Sequence, residues 1–495
     1  MTLKPADYYR ALVARDARFD GIFFVGVTST RIYCRPICRA PKPRPERCRY
    51  FSTAAAAERR GFRPCLRCRP ELSPGSAPGV SADAVRRLAT AAAERISAGA
   101  LDAVGVDRLA ADLGVSARHL RRVVERELGA SPVELAQTHR LLTAKRLLTD
   151  SPLPVTQVAF ASGFRSLRRL NALFRERYRL SPAALRRAAR TPRRRRVRAE
   201  PGLTLSLSYR PPYDWPAMLG WLAPRATPGV EVVADGCYRR TVRLGEHRGL
   251  VSVCGEPNAP ALQVELSASL VPAMVLLLTR LRRLFDLDAD PAVVAEHLGA
   301  DAWLAGLVRR RPGLRVPGAM DGFELALRAV LGQQVSVRGA STLAGRLAAL
   351  LGEPLAPEAG GSPDGLARLP VTADRLAEAS EPQVAGIGLP RSRARTMISL
   401  ARAVAGGQLD LAPGADLERA RAGLMEVPGI GEWTAEYVLM RALRWPDAFP
   451  DDDLGLRKAA GGITAAQLRR RAEAWRPWRA YAAAHLWQSL ADGHR

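Results

Sequence analysis

Between residues 81 and 190 apolar residues recur every three to four positions with charged residues between them, which predicts helices throughout. V-D-R-L-A-A-D-L-G-V-S-A-R-H-L-R-R-V-V-E-R-E-L, from Val106, reads as a helix, a turn at Gly114-Val115-Ser116 and a second helix N-capped by Ser116. The arrangement repeats from Val155, in V-T-Q-V-A-F-A-S-G-F and then R-S-L-R-R-L-N-A-L-F-R-E-R-Y. Ser131-Pro132 after the first unit returns as Ser181-Pro182 after the second, and a helix around Leu135 to Leu148 joins the two. At Leu203 the period falls to two, which predicts strands there and in parts of Val230 to Val253, with turns at Asp235-Gly236 and Gly255. A helix is predicted over Ser269 to Phe285, and from about Pro291 the pattern is helical to the end. Gly- and Pro-rich stretches at 73–79 and 353–365 read as a spacer and a surface loop, and Ala385-Gly-Ile-Gly-Leu389 as a structural turn.

A chain of 495 residues is too long for one core. The changes of period predict a multidomain, mostly α protein: a cysteine-bearing α+β domain (1–76), an all-α double helix-turn-helix domain (81–190), a linker (191–200), a small α/β domain (201–290) and an all-α domain (291–495). The net charge is +27, with 75 Lys+Arg of which four are lysines, Lys4, Lys42, Lys145 and Lys458. Such a balance predicts a polyanionic partner, most simply nucleic acid. The arginine run Arg193 to Arg196 makes the linker either a tracker of the DNA backbone or a plain solvated joint. No apolar N-terminal leader pattern is present, and the longest apolar run, near Val271 to Leu278, is too short to span a bilayer. The expected setting is cytoplasmic and nucleoid-associated, with no membrane partner.

Two of the close cysteine spacings, Cys34-x-x-x-Cys38 and Cys65-x-x-Cys68, suit a four-thiolate zinc site better than disulfides. On spacing alone this is a structural zinc ribbon. The surrounding D-G-I-F-F-V-G-V-T-S-T-R-I-Y-C-R-P-I-C-R-A and G-F-R-P-C-L-R-C-R-P-E resemble the N-terminal domain of the Ada methylation-response proteins. The resemblance implies that Cys34, Cys38, Cys65 and Cys68 bind zinc and that Cys34 also accepts a methyl group, once, from a methylphosphotriester in DNA. Zinc holds the sulfur as thiolate, which is the nucleophile. Arg31, Arg35, Arg39, Arg44 and Arg47 lie close in sequence and are expected to grip the DNA backbone, while Cys48 is expected to be an ordinary core or surface cysteine.

The double helix-turn-helix pattern resembles AraC-type DNA-binding domains. Its recognition helices would run from about Ala117 to Leu128 and Leu167 to Tyr178. Arg118, His119, Arg121, Arg122, Arg165, Ser166, Arg168 and Arg169 are candidates for base contact, although any one of these arginines more often touches only phosphate.

The stretch with most chemistry is V-P-G-I-G-E-W-T-A-E-Y, followed by A-F-P-D-D-D-L-G-L-R-K. Gly429 and Gly431 suit a hairpin with positive φ, and the helix after it presents bare N–H groups to phosphate. These residues resemble the helix-hairpin-helix DNA glycosylases of the AlkA 3-methyladenine type, and P-P-Y-D-W-P-A-M-L-G-W-L-A-P-R-A resembles the N-terminal domain of the same family. The resemblance implies an Asp453-assisted hydrolysis of the N-glycosidic bond of a flipped, alkylated base. Asp453 follows from gap-free register on Leu454 and Leu456, whereas alignment on Pro-Asp-Asp alone would select Asp452. It also implies a base pocket containing Trp221, Trp433, Tyr437 and Trp487, with Trp475 and Trp478 left to the core. In Leu331-Gly-Gln-Gln-Val-Ser-Val337, either Gln333 or Gln334 fills the emptied stack. Trp433 stands where lyase-competent relatives carry a Schiff-base lysine, so simple hydrolysis without strand cleavage is expected.

No Pro-Cys-His-Arg motif is present, so no O6-alkylguanine transfer is expected, and no Walker A, H-E-x-x-H or Rossmann fingerprint occurs. The expected partners are double-stranded DNA, alkylated or promoter, and RNA polymerase, and the expected state is a monomer. Two readings remain: a glycosylase joined to a methyl-accepting sensor and transcription activator, or an activator whose C-terminal half binds lesions without cleaving them.

Overall fold

The computed structural model describes residues 4–75, 84–151, 153–189, 202–257, 259–355 and 365–493. The arginine-rich linker 191–200, spacer residues 76–79 and loop residues 356–364 lie outside them. The chain forms two compact units, Met1–Pro211 with Asn258–Thr279, and Pro212–Pro257 with Arg280–Arg495.

The first unit begins with a four-stranded sheet in the order Cys48–Phe51, Phe24–Val27, Ile32–Cys34, Arg63–Pro64. All neighbours are antiparallel except the last pair, which is parallel. Alternation along Phe24–Val27 sends its side chains to both faces. Phe24, Tyr33 and Phe62 pack with Ala57 of the helix Ala54–Arg59, while Phe23 and Val25 pack with Leu12 of the helix Pro5–Ala14.

The predicted recognition helices form over Ala117–Leu128 and Leu167–Tyr178, N-capped by the hydroxyls of Ser116 and Ser166. The joining helix runs Pro132–Asp150, longer than its apolar period suggested. Ser131 and Glu134 close a capping box there, and Pro132 suits the first helical position. The strand Gly202–Ser208 pairs antiparallel with Ala261–Ser267. The helix predicted from Ser269 opens instead as a 3-10 segment, Ala268–Ala273, because Pro272 removes an N–H from the ladder. The α-helix proper is Met274–Leu284.

In the second unit Glu231–Ala234, Cys237–Leu244 and His247–Gly255 form an antiparallel meander. Its register sets Cys237 opposite Cys254, and the two form a disulfide. No cysteine spacing singled this pair out, because strand register, invisible in the sequence, brings the two together. The helices that follow share two apolar clusters, one around Leu325, Val330, Met397, Leu424 and Val438, the other around Leu439, Leu456, Leu468, Trp475 and Leu486. Trp475 is fully buried and Trp478 packs against the second cluster, as expected of core residues. Among the described residues no helix is long and apolar enough to cross a membrane.

Candidate active site and zinc centre

In the first unit Cys34 ends the strand Ile32–Cys34, Cys38 lies in the turn after it, and Cys65 follows the strand Arg63–Pro64. The parallel pairing of these strands brings the two cysteine pairs together. The four Sγ atoms lie within 4.8 Å of one another. Four thiolates around Zn2+ at about 2.3 Å span comparable separations, so the donor set fits the ion. Cys34 is 8% exposed and sits under the sheet edge with Cys38 and Cys65.

The arginines around the cluster divide. Arg31, Arg39, Arg44 and Arg47 are exposed. Arg35 is buried, and its role as a backbone grip is corrected: Nε donates to Asp20 (2.8 Å) and Nη1 to the Cys68 carbonyl (3.1 Å), while its N–H donates to Cys68 Sγ (3.3 Å). A buried guanidinium needs a counter-charge, and Asp20 supplies it. Cys48 is a core cysteine.

On the recognition helices Arg118, Arg121, Arg122, Arg168 and Arg169 are exposed, as are Arg165 and Ser166 just before the second helix, and His119 is half-buried. Their side chains share the polar faces of helices whose other faces carry Leu120, Val124, Leu170 and Phe174 into the core.

The second unit holds a cavity of about 970 Å³, at the upper end of the range for ligand sites. One wall is the hairpin between the helices Leu417–Glu426 and Glu432–Arg441. Gly429 takes φ +91, and a Cβ there would lie 2.2 Å from Thr396 Oγ1, which itself donates to the Pro428 carbonyl (2.7 Å). Gly431 is different. Its φ is −106, so positive φ does not explain it, and a Cβ there would meet nothing. It is the N-cap of a ten-residue helix, and the missing side chain leaves the first-turn N–H groups bare.

Asp453 caps the helix Leu454–Ala459 through Oδ1, which accepts from the Leu456 N–H (2.9 Å). Trp487 Nε1 donates to the same oxygen (2.9 Å) and Trp433 Nε1 to Oδ2 (2.8 Å). Asp452 lines the cavity too, but its side chain is exposed and turned to Arg457 (3.4 Å). Trp433 stacks on Tyr437 with centroids 5.3 Å apart, and Trp221 lies 5.2 Å from Trp487, so the four predicted aromatics converge. Gln333 Nε2 donates to the Gly429 carbonyl (3.0 Å) and to Thr434 Oγ1 (3.1 Å), which ties its loop to the hairpin. Gln334 is exposed with φ +56, a conformation uncommon outside glycine.

Several residues of the site gave no functional signal in the sequence. Arg441 follows Tyr437 by one helical turn and donates to its hydroxyl (2.6 Å). Arg225 lies over the Trp221 ring, with Cζ 3.6 Å from its centroid. Burial pushes the Tyr437 hydroxyl up, but Arg441, Arg225 and Arg328 outweigh it and hold it below its ordinary value. Leu454, 78% exposed, stands at the cavity beside Asp453. The i, i+4 spacing of Tyr437 and Arg441 was available in the sequence; the approach of Arg225 and Arg328 was not.

Residues 7–71 match the metal binding domain of Ada, residues 109–188 a helix-turn-helix domain, and residues 204–321 the AlkA N-terminal domain. A protein of Mycobacterium tuberculosis described as a probable bifunctional transcriptional activator/DNA repair enzyme AlkA is 42% identical over 489 residues, covering 97% of this chain and 96% of its own. This chain belongs to that AlkA family. The AlkA-family chain is also similar over 284 residues, at 42% identity, to DNA-3-methyladenine glycosylase 2 of Escherichia coli, covering 57% of this chain and 96% of that one. A 3-methyladenine DNA-glycosylase structure from Archaeoglobus fulgidus has the same fold over 59% of this chain and 100% of its own, with a TM-score of 0.50 at 23% identity. Zn2+ is the cofactor of the four-cysteine cluster of this AlkA-family chain.

Proposed function

We propose that this chain repairs alkylated DNA and regulates that repair. Its C-terminal half hydrolyses the N-glycosidic bond of alkylated bases of the 3-methyladenine type, its zinc-bound Cys34 accepts a methyl group from a DNA methylphosphotriester, and its double helix-turn-helix domain binds promoter DNA for transcription activation. The observation that carries the hydrolase is the Asp453 carboxylate, clamped between two indole N–H groups in an aromatic cavity beside a bare helix N-terminus.

The damaged nucleotide leaves the stack at a cost of about a few kcal/mol. Gln334 is the better candidate to fill the gap, since Gln333 is committed to the hairpin. The hairpin N–H groups and Gly431 take the phosphate backbone, and the faces of Trp433, Tyr437, Trp221 and Trp487 take the base. An alkylated purine is already cationic, so the C1′–N bond breaks with its electron pair going to a base that leaves neutral. Asp453 offsets the positive charge growing on the sugar and takes the proton from the water that bonds to C1′. The product is an abasic site with both strands intact, since no lysine stands where Trp433 does.

At the other end, zinc keeps the cysteine sulfurs as thiolates at neutral pH. The Cys34 sulfur forms a bond to the methyl carbon, the C–O bond to the phosphotriester breaks, and the phosphate recovers its negative charge. The methylated thiol is not regenerated, so the transfer happens once. In this reading the chain works as a monomer on nucleoid DNA in the bacterial cytoplasm and meets RNA polymerase at the promoter.

The test is release of free base from methylated duplex DNA, without magnesium, by wild type, Asp453→Asn and Asp452→Asn. The expected result is release by wild type and Asp452→Asn, with Asp453→Asn slower by roughly 10²–10⁴-fold. Binding of methylated DNA without any release by wild type would leave the second reading, an activator with an inactive lesion-binding half.

A further inference from the structure

The strand pair Gly202–Ser208 and Ala261–Ser267 lies almost wholly in the stretch that matches the AlkA N-terminal domain, yet it packs in the first unit, with the zinc and helix-turn-helix domains. Two buried arginines make the attachment. Arg210, 1% exposed and two residues beyond the first strand, donates from Nε to the Asp20 carbonyl (2.8 Å) and from Nη2 to the Gly75 carbonyl. Gly21 leaves room for this approach. Its φ is +80, and a Cβ there would lie 1.9 Å from the Pro74 carbonyl oxygen and 3.0 Å from Arg210 Nη2. Arg146, on the joining helix, donates to the Ser206 carbonyl inside the strand. A short path leads from these ties to the zinc ligands. Asp20 carries Arg210 on its carbonyl, with Arg35 and Ser73 (3.2 Å) on its carboxylate, and Arg35 in turn holds both the Sγ and the carbonyl of Cys68. The residues after Cys68 are engaged on two sides. Arg69 and Glu71 bind the joining helix, and the 3-10 turn Pro70–Leu72 lies against the strand Gly202–Ser208.

We propose that the segment Cys68 to Ser73, with Asp20 and Arg210, is a joint through which zinc binding holds the first strand pair of the repair half in place. The zinc centre and the start of the repair half are then energetically coupled. Zinc fixes the Cys68 sulfur, and that sulfur is the acceptor that fixes the Arg35 N–H. With zinc gone, the four cysteines lose their common centre and the segment after Cys68 loses its anchor. Asp20, held by Arg35 and Ser73, no longer has a fixed position at which to meet Arg210. A buried guanidinium whose acceptors move away is left unsatisfied, which is the costly case. Coupling of this kind is reciprocal, so whatever zinc contributes to the strand pair, the strand pair contributes to zinc affinity. It holds whichever reactions the two halves perform, and it makes zinc loading of the N-terminal domain a condition for a soundly folded repair half.

Two quantities measured on the full chain under reducing conditions test the coupling. Amide hydrogen exchange is followed in peptides covering 202–208 and 261–267, with zinc bound and after its removal by a chelator. Zinc affinity is measured by competition with a chromophoric chelator. Wild type is expected to exchange about tenfold or more faster in both strands once zinc is removed, the scale of one charged hydrogen bond. Arg210→Met is expected to exchange faster than wild type with zinc bound and to respond less to zinc removal. It is also expected to bind zinc more weakly, by the factor by which that response shrinks. Arg210→Lys should restore part of both. Arg146→Met cuts the strand from the joining helix but not from Asp20, so it should speed strand exchange and leave zinc affinity at the wild-type value. Strand exchange in wild type that ignores zinc would overturn the proposal. So would a wild-type zinc affinity in Arg210→Met, which is the result of a merely structural arginine. The affinity measurement starts from zinc-loaded protein, so it decides the matter even where zinc removal unfolds the first unit.

Discussion

Two places in the molecule, one in each unit, handle buried polar groups differently. In the first, Lys145 is 1% exposed, and the joining helix Pro132–Asp150 sets it against Glu71 in an ion pair. One and three residues after Cys68, Arg69 and Glu71 bind this helix, with Arg69 reaching Asp150 (2.7 Å) and Thr149 (2.7 Å). Nearby, Glu58 accepts from Tyr33 (3.0 Å), Thr138 (2.9 Å) and Tyr178 (3.5 Å). Every named group there has a partner, and the partners belong to the sheet domain on one side and the helix-turn-helix domain on the other. In the second unit, the Trp221 Nε1 and Arg328 Nε atoms of two half-buried residues are shut off from solvent with no acceptor. Satisfied burial fastens two domains of one unit together, whereas donors left open on a cavity wall are available to what enters the cavity. A residue's burial or charge is thus less informative than the balance of its donors and acceptors.

The largest effect should come from breaking the fastening. Lys145→Met takes from buried Glu71 one of its two cations, leaving Arg69 Nε (2.9 Å), and should cost about 3 kcal/mol in denaturant unfolding of the first unit, the low end for a broken buried pair. Adding Glu71→Leu should recover much of that loss, because an apolar pair of similar volume needs no counter-charge. A single variant as stable as wild type would show that the pair is not fastening the domains.

Glu58 gives a pH signature. Burial raises its carboxyl to about 7, against the pull of hydrogen bonds from Thr138 and Tyr33. The folded state then holds a proton that the unfolded state releases near its ordinary value of 4.5. The stability tied to that proton is fully present below about pH 4.5 and is lost as pH rises toward 7. Glu58→Gln should flatten the fall in stability across that window, as measured by thermal melts at a series of pH values, and an identical slope in both proteins would contradict the sign.

Smaller effects separate the two glutamines. Gln333→Ala removes two hydrogen bonds to the hairpin and should cost about 1 kcal/mol of stability. Gln334→Ala should leave stability within about 0.5 kcal/mol, or raise it slightly, while slowing base release. Least of all, Arg168→Ala should reduce the salt slope of duplex binding by about one if the residue contacts phosphate, and should relax preference at one base pair if it reads an edge.

Much of this molecule was legible in the sequence where the interaction is local. Both recognition helices begin where their apolar periods begin, since Ser116 and Ser166 cap the N–H three residues on. The four thiols were readable from their spacing, whereas the choice of Asp453 over Asp452 came from the family resemblance and its register on Leu454 and Leu456. Arg35 was misread because Asp20 sits on another element, and a sequence pattern lists arginines without their counter-ions. Lys145 was invisible for the same reason: its partner is 74 positions away. Gly431 was expected to take positive φ and does not; what its lack of a side chain does is leave the helix N-terminus open. The approach of Arg225 and Arg328 to Tyr437 depends on separate segments meeting, and nothing in any of them foretells the others.

The clamp on Asp453 also bears on stereochemistry. A carboxylate offers about four acceptor positions. Oδ1 spends both of its own on Leu456 and Trp487, and Oδ2 spends one on Trp433. One position remains, on an oxygen that cannot turn. On the mechanism proposed above, a water molecule seated there would approach the sugar from a single direction, and the hand of the product as it forms would be set before the base has left.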